Sequence, residues 1–173
     1  EFAEAGLDEI RFHLLDLETE RYRETIAACS EAGILTGVEI PCEPDREGDL
    51  LELLETLRDL EVSFLNLNEL EITVGNHHNM ELRGFNLSTE ITAGAAGSAE
   101  LAIAMRDRVM AAERGDPDPK DGEMREAYGY HLKFCTAVYK DAGQMRRRFL
   151  RRGEATIAPH EVLTDDGTLL FGA

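Results

Sequence analysis

Four short stretches of the chain alternate apolar with polar residues at a period of two, the pattern of a strand with one buried and one polar face. In the first, Ile10 and Phe12 share one face while Arg11 and His13 share the other. In the second, over 34–41, Val38 and Ile40 oppose Gly37 and Glu39. In the third, over 62–70, Leu65 and Leu67 oppose Asn66 and Asn68. In the fourth, over 130–135, Leu132 and Phe134 oppose His131, Lys133 and Cys135. Between these stretches the period lengthens to that of a helix. Leu50, Leu53, Leu54 and Leu57 stand at i, i+3, i+4 and i+7 and predict a helix over 45–60. A helix over 18–32 ends at Gly33, a residue suited to the left-handed position after a helix. A helix over 98–114 starts with Ser98 as N-cap, and another runs over 137–152. The polar stretch 73–97 interrupts the rhythm and carries a short helix near 79–83; 115–122 is a turn-rich loop. Asp166-Gly167 between apolar runs predicts a hairpin in the tail.

Strands alternating with helices predict an α/β fold with a parallel sheet. The right-handed crossover rule leaves an open doubly wound sheet or a barrel. Strands covered on both faces read as continuous apolar runs, whereas these four each keep one polar face. That favours a barrel wall with a polar lumen; the alternative is a half-covered sheet whose polar residues meet solvent. A complete (β/α)₈ barrel needs ~250 residues, so four units are expected to form a partial, TIM-barrel-like (β/α) barrel. The opening EFAEAGLDEIRFH reads as the end of a helix running into a strand, which places earlier units outside this chain. Residues 1–152 form the barrel part and 153–173 a separate tail.

Composition narrows the setting. The 173 residues, 43% hydrophobic, suffice for one real core. No apolar run reaches the ~18 residues of a membrane span, and the acidic start does not read as a signal peptide, so the expected location is the cytoplasm. A net charge of −17 opposes nucleic acid and anionic membrane at long range. Of 18 basic residues only Lys120, Lys133 and Lys140 are lysines. Such a surface suits a salt-adapted, halophilic cytosol, or reflects arginine preference in a GC-rich genome. Cys29, Cys42 and Cys135 are odd in number and far apart, with no zinc or iron–sulfur spacing.

In parallel barrels the chemistry lies at the C-terminal ends of the strands. Those ends carry His13, Glu39, Asn66, Asn68, Glu69, Lys133 and Cys135. Singly, each has a plainer role: His13 as a core histidine, Glu39 as the ion-pair partner of Arg11, Asn66 and Asn68 as structural hydrogen-bonders. Together they predict a shared polar site. His77-His78, in the long polar loop, suits a solvated surface, substrate contact or metal binding. Arg146, Arg147, Arg148, Arg151 and Arg152 form the sole basic cluster. They suit either a helix dipole or a phosphate-bearing substrate or nucleic acid.

The segments EIRFH, GVEIPCEPDREGDLLELLETLRDLEVSFLNLNELEI and HLKFCTAVYKDAGQMRRRF together resemble an archaeal branch, with a haloarchaeal character, of the radical S-adenosylmethionine proteins related to pyruvate formate-lyase activating enzyme. The resemblance covers roughly residues 1–150. It implies the C-terminal half of a radical SAM (β/α)₆ barrel. It also implies a [4Fe–4S] cluster on a CxxxCxxC loop in the full-length protein, and S-adenosylmethionine lying across the strand ends. Carried over by position, Arg11 and His13 match the fourth strand of that barrel, Glu39 and Pro41 the fifth, and Asn66, Asn68 and Glu69 the sixth. These are the implied cofactor-binding residues; His77, His78, Lys133 and Cys135 fall on the substrate side. Where the relatives place a histidine in the last segment, this chain has Asn68 or its neighbour. None of its three cysteines replaces the triad, so residues 1–173 alone are expected to be inactive. The substrate is a protein glycine, an RNA base or a small metabolite. Two rival readings remain open. One is a metal-dependent barrel hydrolase or isomerase using His13, Glu39, His131 and His77. The other is a non-catalytic half-barrel, with dimerisation through an open sheet edge.

Overall fold

The computed structural model describes residues 1–171, apart from the side chain of Asp141. Four parallel strands, β1 (Glu9–Phe12), β2 (Leu35–Cys42), β3 (Phe64–Glu69) and β4 (His131–Cys135), form one sheet in the order β1-β2-β3-β4. The crossovers carry α1 (Arg23–Glu31), α2 (Glu47–Arg58), and the pair α3 (His77–Leu82) and α4 (Ser98–Arg114). Strand order follows chain order without reversal. A doubly wound sheet reverses at a switch point; steady advance is the geometry of a barrel wall. The four-stranded sheet is therefore compatible with a partial α/β barrel.

One face of the sheet is dry. Phe12, Val38, Ile40, Leu65 and Leu67 meet Ile26 of α1, the α2 leucines, and Ala102, Met105 and Val109 of α4 in a single cluster. Leu50, Leu53, Leu54 and Leu57 are all buried, as their spacing predicts. Each fully buried leucine contributes ~1.5–3 kcal/mol, so this helix is held by its packing rather than by its propensity. Tyr130 donates its hydroxyl to the Leu54 carbonyl at 2.9 Å, and Tyr128 to Glu55 at 2.9 Å, closing the end of that core.

Several predicted bounds shift, each for a local reason. The helix expected from residue 18 is preceded by a 3₁₀ turn at Glu20–Tyr22 and begins only at Arg23. Leu17 has a left-handed φ of 64°, and the Glu18 amide donates to Asp16, so the chain is still turning. The α2 helix likewise follows a tight turn over Pro44–Arg46. The short helix of the polar stretch begins at His77, two residues earlier than expected. Ser98 is not the N-cap of α4. Gly97, at φ 85°, takes that place, and Ser98 is the first helical residue. Its wholly buried hydroxyl accepts from the Leu70 amide at 2.8 Å and donates to the Cys42 carbonyl at 2.7 Å, stapling the ends of β2 and β3 to α4.

The polar stretch after β3 is ordered by its own backbone. Ile72 donates to the Ala93 carbonyl and Ala95 to that of Leu70, both at 2.7 Å, around a small core of Leu70, Met80 and Ala95. Arg83, at the end of α3, reaches Glu43 at 2.9 Å and Asp45 at 2.7 Å, fastening the stretch to the turn after β2.

The chain divides into two compact units, Glu1–Cys135 and Thr136–Ala173. The break in contacts falls after β4. In the second unit the single helix expected over 137–152 is three pieces: α5 (Ala137–Tyr139), a π-helical turn (Lys140–Met145) and α6 (Arg146–Thr156). Gly143 lies in the widened turn with the Tyr139 ring against it. The expected hairpin is present, with β5 (Glu161–Leu163) antiparallel to β6 (Leu169–Phe171). Gly153 of α6 packs on Leu163, where a Cβ would have no room. No described helix is long and apolar enough to cross a membrane.

Candidate functional site

The strand register stacks the polar face of the sheet into rows. Arg11, Gly37, Phe64 and His131 stand side by side in the first. Glu39, Asn66 and Lys133 form the second, and Pro41, Asn68 and Cys135 the third, nearest the C-terminal ends. Alternation along each strand gives this arrangement, because one residue in two must face the same way.

A chain of side-chain hydrogen bonds crosses all four strands. Arg11 Nη1 donates to Glu39 Oε2 at 2.8 Å, and its Nε to Glu9 Oε1 at 2.6 Å. Asn68 Nδ2 donates to Glu39 Oε1 at 2.9 Å. Asn66 Nδ2 donates to Asn68 Oδ1 at 3.3 Å, and the Cys135 thiol donates to Asn66 Oδ1 at 3.4 Å. Burial works to raise the Glu39 pKa. The bonds from Asn68 and Arg11, with the Arg11 charge, outweigh it and hold the carboxyl below its ordinary value. Its partner Arg11 is raised in turn by bonds to Glu39 and Glu9.

The floor under this network is aromatic. Gly37 leaves room for the Phe64 ring, which lies where a Cβ would stand. Arg11 and Lys133 both rest on that ring, 5.4 and 4.5 Å from its centroid, within cation–π range. Lys133 has no carboxylate partner among the described residues, in a unit whose arginines all have one.

Of the residues expected from sequence, Arg11, Glu39, Pro41, Asn66, Asn68, Lys133 and Cys135 share this face. His13 lies just beyond β1 and is exposed. Glu69 points the other way: it pairs with Cys42 rather than with the polar rows, and its carboxylate lies against Gly94. Odd and even positions diverge at the strand end as they do within it, so Glu69 does not line the face. His77 and His78 are on the exposed side of α3, His77 bordering a shallow cleft with Glu81 and Phe85. His131 is in the first row, level with Phe64 and below Glu39. Among the described residues no three of His, Cys, Asp or Glu come together as a metal site. The ligand set of the hydrolase reading is therefore not assembled.

Sequence reasoning placed Gly37 on this face but missed Phe64, although an aromatic on an otherwise polar face opposite a glycine is a visible signal. It also missed the partners of Arg83, 40 and 38 residues away, and those of Ser98, 28 and 56 residues away.

The chain is 34% identical, over 177 aligned positions, to a protein of Methanocaldococcus jannaschii provisionally named a glycyl-radical enzyme activating enzyme. The two are homologues. The alignment takes in 98% of this chain and 42% of that protein, so the chain spans about two-fifths of the length of the curated relative it matches. No family model matches the chain, and no solved structure does.

The residues of the face fit S-adenosylmethionine. A carboxylate with lone pairs to spare suits ribose hydroxyls, amides suit an adenine edge, and a cation suits the methionyl carboxylate. They do not fit an iron–sulfur cluster. Cys29 is in α1, Cys42 is wholly buried at the end of β2, and Cys135 ends β4, so the three thiols belong to separate elements.

Proposed function

We propose that the polar face of Glu1–Cys135 is the S-adenosylmethionine side of a radical SAM enzyme of the activating type. Activating enzymes of glycyl-radical enzymes are a radical SAM family, and a relative with that name aligns over nearly all of this chain. The observation that carries the proposal is the unbroken network from Arg11 to Cys135 across all four strands. Glu39, Asn66 and Asn68 hold the nucleoside part, and Arg11 or Lys133 the methionyl carboxylate. An S-adenosylmethionine held by these residues beside a reduced cluster would supply radical chemistry for hydrogen abstraction. The cluster needs a CxxxCxxC segment, which residues 1–173 do not contain. Strands added at the outer edge of β1 would continue the barrel. The substrate is then a protein, a glycyl-radical enzyme.

Saturation-transfer NMR between the chain and S-adenosylmethionine tests this without the cluster and registers weak binding. Transfer to ribose and adenine protons is expected for the wild type and not for Glu39→Ala/Asn68→Ala. Equal transfer in both, or none in either, refutes the assignment. Separately, the acidic, lysine-poor surface supports a salt-adapted setting. A midpoint of unfolding that rises with added KCl is expected, and full stability at low salt would remove that part.

A further inference from the structure

We infer that the outer face of α6 is a docking surface for a carboxylate-rich segment of another protein. The second unit has six basic and five acidic residues, against twelve and thirty in Glu1–Cys135. In the first unit every arginine has an acidic partner, for example Arg108 with Asp118 at 2.6 Å and Arg125 with Asp121 at 2.5 Å. In the second, Arg147, Arg148, Arg151 and Arg152 have none among the described residues, and all four are exposed.

Helix geometry sorts them. At 3.6 residues per turn, Phe149, Leu150 and Gly153 fall on the side that meets the hairpin, where Gly167 abuts Phe149 and Gly153 abuts Leu163. Arg146 lies there too, and its Nε donates to the Asp165 carbonyl at 2.8 Å. The four unpaired arginines fall on the opposite side, as two pairs spaced four apart. Like charges at that spacing disfavour a helix. The helix dipole does not explain them, because no basic residue stands in the last turn of α6. A self-repelling stripe, left unpaired in a chain rich in carboxylates, is matched to an anion from outside.

The anion is a protein segment rather than a nucleic acid on three grounds. Four charges within about two helical turns fall short of the roughly six to ten phosphate contacts of a nucleic-acid site. The stripe is all arginine without lysine, and it is bordered by Phe149, 49% exposed; arginine and aromatics are enriched at protein interfaces while lysine is depleted. The net charge of −17 opposes a long phosphate polymer more than a short acidic segment, which carries fewer charges. None of this depends on the S-adenosylmethionine assignment.

Fluorescence anisotropy with the 173-residue chain tests it. The probes are a labelled short peptide of alternating glutamate and alanine, and a single-stranded oligoribonucleotide of equal charge. Wild type should bind the peptide at low ionic strength and release it as salt rises. Arg147→Glu/Arg151→Glu should weaken binding by about tenfold or more. Arg147→Gln/Arg151→Gln, which keeps helix propensity, serves if the reversed variant loses its circular dichroism spectrum. Failure of the wild type to bind peptide, unchanged binding by the variants, or oligoribonucleotide bound at least as tightly as peptide overturns the proposal.

Discussion

Replacing Ser98 by alanine removes one oxygen and costs the fold two buried bonds. The Ser98 hydroxyl accepts from Leu70 N at 2.8 Å and donates to the Cys42 carbonyl at 2.7 Å, at a residue with no exposure, where water cannot take its place. A buried polar group left without a partner costs ~1–3 kcal/mol, so two cost about 2–6 kcal/mol together. For a chain of this size each kcal/mol moves the melting temperature by roughly 2–4 °C, so a central value of about 4 kcal/mol gives a fall of about 8–16 °C. Thermal melts followed by circular dichroism read this directly, with Ser30→Ala, at an exposed position of α1, as a control that moves little. Ser98→Asp separates the staple from an ordinary cap. Aspartate is a good N-cap, so a cap would tolerate it. A buried staple would not, because burying a carboxylate where a hydroxyl fits costs far more than the bonds it can make. A shift below about 2 °C for Ser98→Ala, or stability retained in Ser98→Asp, refutes the staple.

Glu39 should leave a mark on acid unfolding. Its folded pKa lies below the unfolded value, so its ionised form stabilises the protein above the ordinary carboxylate range, and that contribution is lost as pH falls through the depressed value. Glu39→Gln should therefore flatten the acid limb of the stability–pH curve measured by urea titration; an unaltered limb would contradict it. Gly37→Ala should destabilise by about 1–3 kcal/mol, the usual range for overpacking, since the new methyl enters the Phe64 ring. Adding Phe64→Leu should recover part of that loss in chemical denaturation, and no recovery would mean the clash lies elsewhere. The Cys42 thiol is pushed up to about 12 by burial, then by Glu43 and Glu47. At pH 8 a disulfide reagent should find it only after unfolding, whereas rapid labelling of all three thiols in the native protein would count against its burial.

The period-two pattern was enough to sort most of the site, because alternation is a local property. Arg11, Glu39, Asn66, Asn68, Lys133 and Cys135 are on one face for the same reason that their neighbours are in the core. Glu69 was misplaced where that rule was dropped in favour of its position at the strand end; counted from Leu65, it belongs with the leucines. What could not be read were relations between distant segments. Nothing near Ser98 announces that its hydroxyl closes on Cys42 and Leu70, and a helix-start serine is locally indistinguishable from a cap. The break after β4 was equally hidden, since the helical pattern over 137–152 runs on smoothly while the backbone widens at Gly143.

Arginine and lysine normally surrender much rotamer freedom when they grip a ligand. On this sheet part of that freedom is already given up, because the Arg11 guanidinium and the Lys133 ammonium rest against the Phe64 ring. A guest with an anionic group would meet cations that are pre-organised rather than searching, and would keep more of the contact energy as affinity.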